Sequence, residues 1–401
     1  TKVVSIDPVL TWWGGARAEH WLRPRPGTDC CIALAWLNVI MNEDLIDHEF
    51  VDNWCAYYDE LKDHCQQFTP EWASEVTGLD PDLIRESARF YAKAERGAIQ
   101  WGLAFDTQND SIQLCQTVSD IMSVCGNIDK PGTNLLVRNG FEINPGYATA
   151  QLYCDPDTFA KKLTVDLVHP GCVQFIGMAD CDAMCYAMET QQPYPMKMLW
   201  VQGSNTYTCN GLDTARIYRN IMNFEFIVVA DPFMTPTAQA VADIVLPTAM
   251  CCERNNARAW WFPVRATKKV TQYYEARTDE QVTVDLCNLL NPELMEREFG
   301  WKTDVDFVQW FLDGGDGIAM GASLEGGIAD TLKGGIGMSF DELVESGGWA
   351  YDEWNSQYEK YAKGLLRPDG KMGFNTTSGR VELTPMTYTF WGFPNTPAHT
   401  E

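Results

Sequence analysis

Short β-branched runs that stop at a turn signal recur along this chain, and stretches with helical periodicity follow them. Val3-Val4-Ser5-Ile6 ends at Asp7-Pro8, Met198-Leu199-Trp200-Val201 at Gly203-Ser204-Asn205, and Ile227-Val228-Val229 at Ala230-Asp231-Pro232. Ile244-Val245-Leu246 stops at Pro247, and Ala98-Ile99-Gln100-Trp101 gives way to Gly102. Runs of this length and composition predict strands buried in a parallel sheet. Between them, Ile32, Leu34, Ala35, Leu37, Val39 and Ile40 predict a buried helix. Leu83, Ile84, Ala88 and Tyr91 predict another, opened by Asp80-Pro81 as cap and first helical position. Helices are also expected over 212–222, 238–242 and 275–290, the last on the surface.

The stretch 226–256 organises the rest. Its strand ends in an acidic residue, Thr235 and Thr237 can cap the helix that follows, and Asp243 opens a second buried run. An acid just past a strand's carboxyl end, beside a helix amino end, is where open α/β sheets bind phosphate-containing ligands. Read by itself, the same spacing also describes an ordinary βαβ unit in which Asp231 merely forms the turn. The turn Arg23-Pro24-Arg25-Pro26-Gly27-Thr28-Asp29 before the first long helix repeats the theme. There Gly27 lets backbone approach a ligand, and Thr28 or Asp29 can cap the helix. A carboxylate at Asp29 can also accept paired hydrogen bonds from a guanine ring N–H and amino group.

Composition narrows the field. The chain has 401 residues, 45% of them apolar, enough for a sizeable core in two or three domains. A formal net charge of −25 argues against nucleic acid and anionic membrane surfaces, and outweighs the aromatic and basic residues of 258–274. No apolar run reaches the roughly 20 residues of a membrane helix. The 14 cysteines include the adjacent pairs Cys30-Cys31 and Cys251-Cys252 and a Cys181/Cys185 spacing, but no CxxC. Most are therefore read as reduced, small apolar residues, with no metal ligands assigned. Residues 291–370 are rich in glycine turns, and 141–195 read as irregular, the kind of segment that lines a substrate funnel.

The wording is more specific than the spacing. IVVADPFMTPTA followed by ADIVLP, the RPGTD turn, LIDHEFV, FTPEWASEVTGLDPDLIRESARFYA, GNIDKPG at 126–132 and SGRVEL at 378–383 occur in one order. Together they resemble the catalytic subunits of the dimethyl-sulfoxide-reductase superfamily, the molybdenum or tungsten bis(molybdopterin guanine dinucleotide) oxidoreductases. The resemblance implies an α/β fold of Rossmann-like, doubly wound parallel-sheet domains. The expected division is a first domain over 1–200 on one pterin dinucleotide, part of a second over 201–290 on the other, and a loop-rich remainder over 291–401. It further implies cofactor contacts at Asp7, Thr11, Gly27, Thr28, Asp29, Leu103 and Gln108 in the first half. In the second half it implies Gly203, Ser204, Asn205, Ala230 by its backbone, Asp231, Glu253 and Arg254. Arg138, in Val-Arg-Asn-Gly, becomes the candidate catalytic residue, facing a substrate oxyanion. The chain departs from the family at Val9, where Arg commonly follows Asp-Pro, and in the unusual Trp12-Trp13-Gly14-Gly15.

The activity implied is redox or oxygen-atom transfer on a small substrate. Electrons would pass through an iron–sulfur cluster of the 4Fe-4S type and an iron–sulfur partner subunit. Starting at Thr1 directly into a strand, the sequence reads as a fragment without the family's N-terminal iron–sulfur and C-terminal β-barrel domains, and is expected to be inactive by itself. Two other readings stay open: a dehydroxylase, hydratase or transhydroxylase relative, and a non-catalytic subunit of the same fold. The acids at both guanine positions argue against the last.

Overall fold

The structure, a computed structural model, describes residues 1–136, 161, 163, 181–209, 213–258, 263–313, 336–349, 357–390 and 392–399. They fall into two compact units, residues 1–137 with 353–401, and residues 138–352.

In the first unit, β1 (Val3–Ile6) and β2 (Ala18–Leu22) pair in parallel, joined through the short helix α1 (Trp12–Ala16). Thr11 caps α1, its hydroxyl accepting from the Gly14 amide at 3.4 Å. The chain then turns through Gly27 into α2 (Asp29–Asn42), in which every residue from Cys30 to Met41 is buried. A helix that is apolar on all sides has to lie at the centre of its domain. Four of the helices that follow do surround it: α4 (Tyr58–Cys65), α5 (Pro70–Thr77), α6 (Pro81–Ala92) and α7 (Ser111–Val124). The intervening α3 (His48–Trp54), which runs into the two-residue strand β3 (Cys55–Ala56), packs on α7. The polar groups that α2 itself brings inside are paired, as burial demands. Asn38 donates to the Cys65 carbonyl at 2.9 Å, and the Trp36 indole donates to Ser87 Oγ at 3.1 Å. Asp80 caps α6 through the Asp82 amide, as its sequence requires.

The second unit holds a parallel sheet of β4 (Met198–Gln202), β5 (Phe226–Asp231) and β6 (Ile244–Pro247), with β5 in the middle. Helices Thr214–Ile221 and Pro236–Val241 make the two crossovers that parallel strands need. Val201, Ile221, Ile227, Val229, Ala238 and Val241 form their common core. A separate apolar cluster gathers Val264, Val308, Leu312, Phe340 and Leu343 behind the antiparallel pair Asn256–Arg258 and Arg265–Thr267.

The α/β architecture with parallel sheets is the one expected, but several local expectations give way. The break between units falls at 137/138 instead of 200, and residues 353–401 join the first unit rather than trailing from the second. Two contacts draw them back. Val381–Glu382 adds in parallel to the short strand Cys55–Ala56, and the Lys360 ammonium sits against the Asp129 carboxylate with neither side chain exposed. Ala98–Trp101 is no strand: the Asn134 side-chain amide bonds both the N–H and the C=O of Ile99, each at 2.8 Å, where a neighbouring strand would have paired. Ile244–Pro247 is an edge strand with both ends exposed, not a buried one. Within the segment read as irregular, Cys181–Thr190 is a helix, and most of the rest lies outside the described residues.

Candidate functional site

The carboxyl ends of β1 and β2 collect one group of expected contacts. Asp7 follows β1 and closes a tight turn, its Oδ1 accepting from the Val9 amide at 2.8 Å. Gly27 adopts φ of 84° with open space where a Cβ would stand, so a side chain there would be strained and would fill room beside the turn. Thr28 precedes the helix without capping it; its hydroxyl donates to the Arg25 carbonyl at 2.7 Å. Asp29 opens α2 and receives the Gln108 amide Nε2 at 3.1 Å. Burial raises the Asp29 carboxyl above its ordinary range, the helix amide and Gln108 oppose that, and the neighbouring Asp7 adds to it. Asp7, Asp29 and Gln108 therefore converge, although 22 and 79 positions separate them from Asp29. The Gln108 Oε1 is buried and has no hydrogen-bond partner among the described residues. A buried acceptor left unpaired costs roughly 1–3 kcal/mol, so it marks a place where a donor belongs.

The second unit repeats this design at β4 and β5. Gly203 takes φ of 58°, again with nothing where a Cβ would lie, and its amide donates to the Ala230 carbonyl at 3.0 Å. Asn205 Oδ1 accepts from the Thr237 hydroxyl at 2.7 Å and from the Thr237 amide at 3.2 Å. That same hydroxyl accepts from the Tyr207 amide at 2.9 Å. Thr237 thus ties the β4 turn to the helix after β5. The sequence offered it as a cap, but Thr235 caps this helix, and Thr237 does the tying instead. Ser204 and Thr206 hydroxyls pair at 3.0 Å. Asp231 ends β5, largely buried; one oxygen accepts from the Phe233 amide at 2.8 Å, and the other accepts nothing among the described residues.

The remaining expected contacts divide. Glu253 is buried with one oxygen on the Met250 amide and the other on the Tyr273 amide, which makes it a brace for its own loop rather than an open contact. Arg254 pairs with Glu280 at 2.9 Å and Asp279 at 3.5 Å, leaving its buried Nε unpartnered among the described residues. Leu103 stands 78% exposed in a turn. Arg138 lies outside the described residues. One pairing escaped the sequence reading. Asp110, two residues after Gln108, is buried and bonds the His399 ring Nδ1. Gln113 and Gln116 on the same helix hold the Ala398 amide and the Asn395 carbonyl, so the C-terminal segment is strapped across α7. No local pattern signals a contact made across 289 positions.

A family-wide sequence profile described as molybdopterin oxidoreductase matches residues 1–288, the span that contains both turns. The chain belongs to the molybdopterin oxidoreductase family. Among curated proteins, it is 25% identical to acetylene hydratase of Syntrophotalea acetylenica, over 100% of this chain and 53% of that protein. It is 30% identical to the F420-dependent formate dehydrogenase 1 subunit alpha of Methanococcus maripaludis, over 64% of this chain and 38% of that one. Among solved structures, the acetylene hydratase from Pelobacter acetylenicus superimposes with a TM-score of 0.75 at 23% identity, covering 100% of this chain and 53% of its own. The chain therefore spans about half the length of these relatives or less. Membership implies a molybdopterin cofactor with molybdenum or tungsten. The residues present fit one: each unit offers a left-handed glycine turn with room beside it, and an acid next to that turn. The first unit also holds the unpaired buried acceptor of Gln108.

Proposed function

We propose that this chain is the pterin-dinucleotide-binding core of a molybdenum or tungsten oxidoreductase, whose catalytic subunit performs redox or oxygen-atom transfer on a small substrate. The observation that carries the reading is the Asp29–Gln108 pair with its unpaired acceptor, next to a glycine turn at a strand's carboxyl end. When bound, the metal–pterin group supplies the electron and oxygen chemistry; the protein supplies binding, orientation and electrostatics.

In this reading each unit holds one guanine dinucleotide, giving a bis(molybdopterin guanine dinucleotide) centre. Asp29 and Asp231 are carboxylates suited to the paired N–H donors of a guanine. Gln108 Oε1 accepts a further donor. Gly27 and Gly203 let the backbone come close to a pyrophosphate, whose charge suits the amide groups of these turns. Thr11, Ser204 and Asn205 hold the turns in shape. Arg138 offers a fixed fork of donors to negative charge on the substrate. A 4Fe-4S cluster and an iron–sulfur partner subunit would carry the electrons.

A second reading is kept because the acetylene hydratase match runs the whole length of this chain. In that reading the same cofactor supports addition or removal of water with no net electron transfer. The deciding assay uses the purified, cofactor-loaded catalytic subunit that contains this chain. Turnover that requires an electron donor or acceptor supports the oxidoreductase, and turnover unaffected by removing both supports the hydratase-type enzyme. Absence of molybdenum, tungsten and pterin from the purified protein would contradict both.

A further inference from the structure

The second unit carries two adjacent thiols that neither the fold nor the cofactor uses. Cys251 and Cys252 are both exposed and lie in the single 3-10 turn Cys251–Glu253, with their sulfurs 3.9 Å apart. The turn is pinned on both sides. Glu253 accepts from the Met250 and Tyr273 amides, and the Cys252 carbonyl accepts from the Val270 amide at 3.0 Å and the Thr271 amide at 3.3 Å.

Two chemistries are open to such a pair, and distance decides between them. A disulfide needs sulfurs about 2.05 Å apart and α-carbons usually about 4.4–6.8 Å apart, whereas neighbouring α-carbons across a trans peptide are about 3.8 Å apart. Closing the bond would distort a turn that four backbone amides hold. A shared ligand atom asks for much less. A trivalent metalloid is three-coordinate and pyramidal, so it would draw the two sulfurs somewhat closer than the observed 3.9 Å, by a fraction of the closure a disulfide requires and within reach of rotating two exposed side chains. Among the described residues no third His, Cys, Asp or Glu joins them, so a closed structural zinc site is not what the pair builds. It fits a centre that asks for two sulfur donors and brings its own remaining ligand.

We propose that Cys251 and Cys252 form a two-thiolate binding site for a thiophilic trivalent metalloid, with an organic arsenite as the representative ligand. Binding is a condensation with no change of oxidation state. Two As–O bonds break, two As–S bonds form, and each thiol proton leaves with a hydroxyl as water. Among the described residues this is the adjacent cysteine pair with both members exposed. The other adjacent pair, Cys30-Cys31, is buried, as are Cys55 and Cys65, so a ligand cannot reach those sulfurs without opening the core. Cys209 is exposed but has no adjacent cysteine.

The test is to incubate the protein as purified with phenylarsenous acid and read the adduct by intact mass and peptide mapping. One phenylarsenic per chain on the 251–252 peptide is expected, removable by a small dithiol. Cys251→Ser and Cys252→Ser should each abolish it, and Cys209→Ser should leave it unchanged. A monofunctional thiol reagent, applied in parallel, reports whether both sulfurs are accessible. The proposal is overturned if both sulfurs label with that reagent and no arsenical binds, or if the adduct survives either serine variant. It is equally overturned if an oxidised dithiol closes the pair to a disulfide in a protein that takes up no arsenical.

Discussion

The Nζ of Lys360 lies 2.7 Å from Oδ1 of Asp129, and neither side chain has any exposed surface. The pair spans 231 positions and is finished with further bonds: Asp129 Oδ2 accepts the Lys360 amide at 2.8 Å, and Nζ donates to the Gln357 carbonyl at 2.6 Å. Desolvating two charges makes the intact pair a modest source of stability, but stripping one partner leaves a buried, unpaired charge. Asp129→Ala or Lys360→Ala should each cost about 3–5 kcal/mol in denaturant unfolding. The double change Asp129→Leu with Lys360→Met should recover only the part due to an unpaired charge, because the Lys360 and Leu136 amides still lose the Asp129 carboxylate. A double variant as unstable as the sum of the singles would show that the charges themselves matter.

Asp29 opens a buried helix but is itself only half-buried, so its loss should affect the ligand more than the fold. Asp29→Ala removes a favourable charge at a helix start, about 0.3–1 kcal/mol of stability. The same change removes a charged hydrogen-bond acceptor from the proposed guanine, about 1.5–3 kcal/mol, or roughly tenfold to a hundredfold in cofactor retention. Gln108→Ala should follow in the same direction and more weakly. The check is guanine nucleotide released per chain after purification, set beside the melting temperature.

Thr237→Val tests the second turn without touching its acid. The change keeps shape and removes the hydroxyl that serves both Asn205 and the Tyr207 amide. Leaving those groups unpaired should cost about 1–3 kcal/mol and loosen the turn at Gly203. Nucleotide content should fall in step with Asp231→Ala. A stable variant with full content would mean that the hydroxyl does not organise the turn.

Much of this was legible from sequence because the signals are local. Ile227 to Val229 form the central strand where a β-branched run met Asp-Pro, Thr235 and Asp80 cap the helices they precede, and the Cys30–Met41 run became the core helix. What sequence hid was non-local or depended on pairing partners. Ile99 looks like a strand residue, and only the distant Asn134 amide takes its backbone bonds instead. Ile244 looks buried, and only the sheet order makes its strand an edge. Glu253 carries a site-like motif position, yet two backbone amides already occupy its carboxylate. The return of 353–401 to the first unit rests on the Lys360–Asp129 pair, which no window of sequence contains.

Asp120 on α7 is buried, and its Oδ2 has no partner among the described residues. Burial holds its pKa well above the ordinary carboxyl value. Above about pH 3.9 the unfolded chain loses this proton while the folded chain keeps it. Stability therefore falls as pH rises, by about 1.4 kcal/mol per unit, until the higher folded pKa is reached. Asp29, raised less, acts in the same direction. Asp120→Asn should flatten most of that slope and leave the protein more stable at neutral pH than the parent. An unchanged slope in unfolding measured from pH 4 upward would remove Asp120 as its source.

The most direct test of the cofactor reading is elemental and nucleotide analysis of the purified protein. Molybdenum or tungsten should be present at about one atom per chain with about two guanine nucleotides released, and Asp29→Ala and Asp231→Ala should each lower the nucleotide count. A folded protein that carries neither metal nor guanine nucleotide, or whose content ignores both substitutions, would contradict it.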